Sequence, residues 1–364
     1  MKLSRQLKMN IRKVVVITIG YTIINFFFFF YIYALLNSRY SLGPSSQFNI
    51  ESSLLTNILV GLIAGVLGGS MLVSVNGKLF RKRSFKFAML TTLLSYILIF
   101  TVVFLLAVFA NLLTKHGPEA ISYDVIQKAF GFAFDLTLVT NFILWGTITL
   151  FTLFLLQVND KFGPGILLKF LAGNYYRPKK EDRIFMFMDM RSSTSIAEKL
   201  SNEKYFNLLN DLFSDLTDTI LNNEGEIYQY VGDEIVISWP IEKGIKNANC
   251  LRCFTQVQEK LIDLRPIYEK KYQVIPEFKA GFHHGPVMAG EIGIIKKDII
   301  YSGDVLNTTA RIQEQCNQYN VDILISMETF DLITDTDGYK LIPLGSIELR
   351  GKKRKIAINT ISKC

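Results

Sequence analysis

Apolar residues are distributed along this chain in two different ways, and the change falls near its middle. In the first half they run almost unbroken over 14–36, 53–75, 87–113 and 134–157. A helix needs roughly 20 apolar residues to cross the hydrocarbon core of a bilayer, so each run is long enough to span one. The pattern predicts four transmembrane helices in a membrane domain over 1–157. The first run has a cationic flank like a signal peptide. It is too long for one, and no small-residue cleavage site precedes Asn37-Ser38-Arg39, so it reads as a retained helix.

From Arg183 onward the runs shorten and alternate with polar residues, the pattern of a mixed α/β domain. Residues 184–189 read as a strand and 193–223 as a helical stretch. A hairpin over 227–231 and 235–239 turns at Gly232-Asp233. A helix over 245–270 follows, then strands over 278–283 and 287–290, a helix over 305–318 and a strand over 322–326. A hairpin over 340–349 and 355–361 comes last. This β-α-β-β-α-β order predicts an α+β fold of the ferredoxin-like kind, an antiparallel-rich sheet with helices on one face. The predicted cytosolic domain covers 183–364. Between the two halves, 158–182 reads as a linker. Gly163-Pro164-Gly165 breaks the helix, 166–171 is a short amphipathic stretch, and 174–183 is a polar tether.

Composition sharpens this picture. Hydrophobic residues make up 49% of the chain and Phe alone contributes 28 positions, an excess the first half explains. The net charge of +8 points to a membrane surface rather than to nucleic acid, because the basic residues sit beside the apolar runs. Lys2, Arg5, Lys8, Arg12 and Lys13 precede the first run, and Lys78, Arg81, Lys82, Arg83 and Lys86 lie between the second and third. The other two loops carry Arg39, and Lys115 and Lys128 balanced by Glu119 and Asp124. The charge bias therefore predicts a multi-pass cell-membrane protein with its N-terminus and its second half in the cytoplasm. Asn25, Asn57, Asn141 and Asp135 are the few polar residues in the runs, and they read as bonds across helices rather than a transport path. The four cysteines, Cys250, Cys253, Cys316 and Cys364, all lie in the second half, and the isolated CxxC of Cys250 and Cys253 reads as two reduced thiols one helical turn apart.

The candidate chemistry centres on two aspartates. Asp189 ends an apolar strand, and Asp233 sits in the turn Val231-Gly232-Asp233-Glu234. Two carboxylates at the ends of adjacent strands can hold two divalent ions, which can drive in-line attack on a nucleotide phosphate. The N–H groups of Arg191, Ser192, Ser193, Thr194 and Ser195 open the next helix, a favourable place for phosphate oxygens.

With these residues placed, the second half resembles a class III adenylate/guanylate cyclase catalytic domain. The resemblance spans about 183–361. It rests on Phe187-Met188-Asp189-Met190-Arg191-Ser192-Ser193-Thr194, on Tyr230-Val231-Gly232-Asp233 and on the Gly-rich strand pair from Gly281 to Gly290. It rests also on Gly303-Asp304-Val305-Leu306-Asn307-Thr308-Thr309-Ala310-Arg311 and on Leu349-Arg350-Gly351-Lys352. Each motif is weak alone, and five in order are strong. The resemblance implies that Asp189, Asp233 and the Met190 carbonyl hold two Mg²⁺ or Mn²⁺ ions. It implies that Gly232 lies at the nucleotide. Asn307 and Arg311 would steady ribose and phosphate, and Lys352 the terminal phosphates. In the family these last groups come from the opposite subunit, so a homodimer with two shared sites is expected.

Purine choice in the family rests on two positions, here Gln229 and Ile300. Adenylate cyclases commonly carry Lys and Asp or Thr there, and guanylate cyclases Glu and Cys or Ser. Gln can donate and accept, whereas Ile can do neither. The reading is a membrane-anchored adenylate cyclase acting on ATP. The alternatives are a guanylate or dual-purine cyclase and a nucleotide-binding sensor without turnover.

Overall fold

The computed structural model describes residues 5–36, 50–79, 85–116, 136–162, 173, 175–295, 298–348 and 355–363. The chain divides into two compact units, one essentially Leu7–Leu167 and the other Leu168–Cys364. The predicted break at Gly163-Pro164-Gly165 and the stretch 166–171 lie outside the described residues, as do Asp135 and the motif from Leu349 to Lys352.

The first unit contains the four expected helices, Arg5–Leu36, Ile50–Leu79, Phe85–His116 and Leu136–Phe162. Each holds a segment long and apolar enough to cross a membrane: Leu7–Leu35, Ser53–Ser74, Met89–Phe109 and Leu138–Asn159. Their outer surface is apolar: Phe27 is 67% exposed, Leu98 67% and Ile143 61%. Such a surface suits lipid and is far from what water tolerates. The second helix packs on the first through Gly61, Gly65 and Gly69, which recur every four residues. A Cβ at Gly65 would fall 2.5 Å from the Thr18 Cα, and one at Gly61 2.8 Å from the Thr22 Cα. Small residues at this spacing let helix backbones approach closely in lipid. Two asparagines depart from the expected bonding across helices. The Asn57 amide donates to the Ser53 carbonyl of its own helix at 2.9 Å, and the Asn25 Nδ2 has no partner.

The second unit is built on one sheet. Its strands are β1 (Lys179–Met190), β2 (Glu226–Val231), β3 (Glu234–Pro240), β4 (Phe278–Ile292), β5 (Asp298–Ser302), β6 (Ile323–Ser326), β7 (Tyr339–Ile347) and β8 (Ile356–Lys363). The order is β2-β3-β1-β4-β6-β8-β7, with β5 paired to β4 beside that path. Among the described residues only the β4–β6 pairing is parallel.

Strand β1 is buried over the six consecutive residues Arg183–Met188 because both its faces are covered. Ile184, Met186, Met188 and Met190 enter the main core with Leu208, Leu212, Leu216 and Ile220 of the helix Asn202–Asn222. Phe254, Val257 and Leu261 of the helix Asn249–Tyr272 complete that side, together with the free thiols of Cys250 and Cys253. Phe185 and Phe187 face the other way and pack near Val305 of the helix Asp304–Gln318. The expectation of helices on one face is therefore corrected: this last helix covers the second face.

Other differences are local. The predicted helix over 193–223 is two helices, Ser193–Lys199 and Asn202–Asn222. Leu200 is extended, and the Ser201 side chain caps the second helix by accepting from the Lys204 N–H. The predicted strand pair over 278–283 and 287–290 is one strand, β4. Pro286 is tolerated there because the second edge is free between Phe282, where pairing with β6 ends, and Met288, where pairing with β5 begins. β5 itself was not expected. Lys179–Asp182, read as tether, pairs with Ala289–Pro286 at the start of β1.

Gly281 sets how closely the second face is covered. A Cβ there would meet the Gln313 backbone N at 2.4 Å and its Cα at 2.6 Å. Gly281→Ala should therefore push the helix Asp304–Gln318 off the sheet and cost about 1–3 kcal/mol of stability, the usual range for overpacking. Urea unfolding followed by Trp239 emission, in a Trp145→Phe background, reads the shift. An unchanged midpoint would mean that the helix yields freely.

Candidate active site

Asp189 stands at the end of β1 on the face turned toward the helix Asp304–Gln318. Its neighbour across the ladder is Lys279 of β4, whose Nζ lies 3.2 Å from the Asp189 Oδ2. The same oxygen accepts from the Gln313 Nε2 at 3.2 Å. Lys279 also reaches the Asn317 Oδ1 at 3.3 Å. β1 and β3 pair as far as Met188 and Ile235. The turn between β2 and β3 therefore delivers Asp233 beside Asp189, and the two carboxyls lie within hydrogen-bonding reach. Gly232 opens that turn with φ of 61° and open space where a Cβ would stand. Glycine adopts this left-handed conformation without steric cost.

The pair is short of positive charge. Burial, first, and then the Asp233 carboxyl raise the pKa of Asp189 above the usual carboxylate range, against the pull of Lys279. Burial, then Asp189 and Asp233, push Glu234 up to about 7. The Asp233 Oδ2 is buried with no hydrogen-bond partner. Unpaired buried acceptors are costly, and a carboxylate oxygen in that state is matched by a cation. Among the described residues, no group of three His, Cys, Asp or Glu side chains is placed to hold a metal. Any ion held here must draw ligands from backbone or from a bound molecule.

The other predicted residues fall as follows. The Met190 side chain is buried in the main core, which leaves its backbone for other use. The Arg191 N–H donates to the Glu277 carbonyl at 2.8 Å. Its guanidinium donates to Asp322 and to the Val321 carbonyl. Ser192 is left-handed, with φ of 55°, and Ser192, Thr194 and Ser195 are exposed at the start of a helix of 7 residues that begins at Ser193. Asn307 is exposed and Arg311 half-buried on the helix Asp304–Gln318. Both point away from its buried face of Val305, Thr309 and Ile312. Gln229 is exposed on β2 and Ile300 is half-buried on β5. The residues next to them meet, since the Tyr301 N–H donates to the Tyr228 hydroxyl at 3.2 Å. Lys352 lies outside the described residues. Lys279, Gln313 and Glu234 were missed. Gln313 had a signal, a polar residue on the apolar stripe of its helix. Lys279 had only its register opposite Asp189, which no single strand reveals.

A family model for the adenylate and guanylate cyclase catalytic domain matches residues 175–361, and the chain belongs to that family. It is 33% identical over 210 residues to adenylate cyclase 2 of Rhizobium meliloti (strain 1021), covering 58% of this chain and 58% of that one. It is 24% identical over 198 residues to the receptor-type guanylate cyclase gcy-10 of Caenorhabditis elegans, covering 52% of this chain and 18% of that one. The chain thus spans little more than half of the first relative and under a fifth of the second. A solved structure of a bacterial light-regulated adenylyl cyclase matches the fold, with a TM-score of 0.52, 22% identity, and coverage of 63% of this chain and 66% of that one.

The raised pKa of Glu234 has a measurable sign. The folded state favours its protonated form, so the stability it contributes is complete below its ordinary value of 4.5 and is lost as pH rises through about 7. In a chelator, Glu234→Gln should flatten the fall in stability across that window. Equal slopes for parent and variant in urea unfolding would mean that the carboxyl is fully solvated.

Proposed function

We propose that the chain is a membrane-anchored adenylate cyclase that converts ATP to 3′,5′-cyclic AMP and pyrophosphate. The observation that carries this reading is the Asp189–Asp233 pair with its buried, unpartnered Oδ2. Its donors are hard oxygens, which suit Mg²⁺ or Mn²⁺. Asp189, Asp233 and the Met190 carbonyl would hold two such ions. When bound, they supply positive charge that favours ionisation of the ribose 3′-hydroxyl and neutralises the triphosphate.

The chain's own groups do the rest. Ser192, Ser193, Thr194 and Ser195 offer N–H and hydroxyl donors to the phosphate oxygens. Arg191 is spent on Asp322 and braces the turn instead. The open space at Gly232 admits the nucleotide close to the backbone. Asn307 and Arg311 project from the face of their helix opposite the sheet, so they serve the Asp pair of a second copy. Lys352 joins them from the same subunit. A homodimer with two composite sites follows, and each chain provides the metal half of one and the ribose-phosphate half of the other. The charge bias of the flanking loops puts both the N-terminus and this unit on the cytoplasmic side.

ATP is favoured by the 33% identity to a protein named as an adenylate cyclase. GTP is the second reading, because the relatives also include guanylate cyclases and Gln229 can bond either purine edge. Incubating the purified chain with ATP or GTP and Mn²⁺, and separating the products, tests activity and purine together. No cyclic product from either would leave a nucleotide sensor.

Asp189→Ala or Asp233→Ala should abolish turnover in a folded, membrane-inserted protein. Activity within about tenfold of the parent, a loss of only about 1.4 kcal/mol in the barrier, would sink the two-ion assignment. Two inactive variants, Asp233→Ala and Asn307→Ala, should complement one another when coexpressed. Half of the dimers would be mixed and one of their two sites intact, so roughly a quarter of parent activity should return. A mixture as inactive as its components would rule out shared sites.

A further inference from the structure

The four helices leave between them a half-open cavity of about 350 Å³ that none of the chemistry above uses. Every helix contributes to its wall, for instance through Asn25, Asn57, Tyr96 and Trp145. Close-packed interiors rarely leave voids much larger than a water molecule. This volume instead falls within the range of small-molecule pockets, about 300–1,000 Å³.

The wall specifies what fits. It is mainly aliphatic and aromatic, and none of its residues is charged. An ion would be stranded there without a counter-charge. Most of the polar groups are already engaged. The Tyr96 hydroxyl donates to the Phe142 carbonyl, the Tyr21 hydroxyl to Thr152 at 3.4 Å, and the Asn57 amide to the Ser53 carbonyl. Asn25 is different. It is 3% exposed, lines the cavity, and its Nδ2 has no hydrogen-bond partner. The first turn of the glycine stripe makes room for it, because a Cβ at Gly61 would stand 3.0 Å from that nitrogen. A buried amide donor left unpaired among apolar groups is costly. A lipid chain entering the space would leave it unpaired. Water alone would find too few partners on so apolar a wall.

We propose that this cavity is a binding site for a small neutral molecule with a compact, ring-containing apolar body and one carbonyl or ether oxygen that accepts from Asn25. The aromatic side chains of Tyr96 and Trp145 pack against the body, and the Asn25 amide fixes its orientation. The site lies wholly within the N-terminal unit and does not depend on the cyclase reading.

The test uses benzophenone, a neutral two-ring ketone that inserts into nearby C–H bonds under near-ultraviolet light. The full chain in phospholipid nanodiscs should be labelled saturably on peptides carrying cavity residues such as Met71 and Val103. Diphenylmethane has the same shape and no acceptor, and it should compete about tenfold more weakly than unlabelled ketone, the discrimination expected of one paired donor. This comparison needs no variant. Asn25→Leu should then erase the difference between ketone and hydrocarbon while labelling of the cavity persists. Labelling that rises without saturation and falls on lipid-facing positions such as Phe27 and Leu98 would overturn the proposal. Equal competition by the two compounds on the unaltered chain would overturn it, as would labelling set by the acyl composition of the nanodisc alone.

Discussion

Strand β1 must satisfy two hydrophobic faces at once, and the position of every candidate site residue follows from that. Its even residues from Ile184 to Met190 enter the core formed with two long helices, and Phe185 and Phe187 turn to the opposite side. Asp189 is the next residue on that opposite side. It emerges where the strand ends and where the helix Asp304–Gln318 lies close, held down by the absence of a side chain at Gly281. Strict alternation of side chains is what delivers a carboxylate there. Shifting β1 by one residue would turn Asp189 into the main core and Met186, Met188 and Met190 toward the helix Asp304–Gln318.

Beside this strand the β2–β3 turn adds Asp233, and the two carboxylates face one amine, that of Lys279. The result is a local surplus of negative charge in a half-buried place. Burial first, and then this surplus, raise the proton affinity of Asp189 and Glu234, and one Asp233 oxygen is left without a partner. The same surplus is what gives the site its proposed affinity for divalent ions. Gln313 reaches in from the buried side of its helix, while Asn307 and Arg311 leave from the other. One helix thus braces the chain's own carboxylate and offers two further groups outward, which is the geometry the shared-site reading requires.

The N-terminal unit uses a different device. Its helices have no hydrophobic drive to associate within lipid, so close approach has to come from shape. Gly61, Gly65 and Gly69 provide it between the first two helices. The same stripe ends beside Asn25, where tight packing gives way to a cavity and an amide is left with a donor to spare.

Much of this was legible in one dimension. Long apolar runs can do little but span a bilayer, so four helices followed from length alone. The Gly232-Asp233 turn and the Asp189 strand end carried their own local signals, turn chemistry and an abrupt end of hydrophobicity. The family followed from five motifs in order. The rest depended on contacts between distant segments. Whether helices lay on one face or two could not be read from periodicity, because a strand buried on both faces loses its alternation. The split at Ser201 hid inside a pattern that a single helix would also satisfy. Lys279 opposite Asp189 is a matter of strand register, Gln313 beside it a matter of helix placement, and the unpaired amide of Asn25 a matter of what three other helices leave unfilled. Local sequence sets which element forms and which residues end it. Only the packed chain decides which charges and polar groups meet, because those meetings are between residues on separate elements, as Asp189 is from Lys279 and from Gln313.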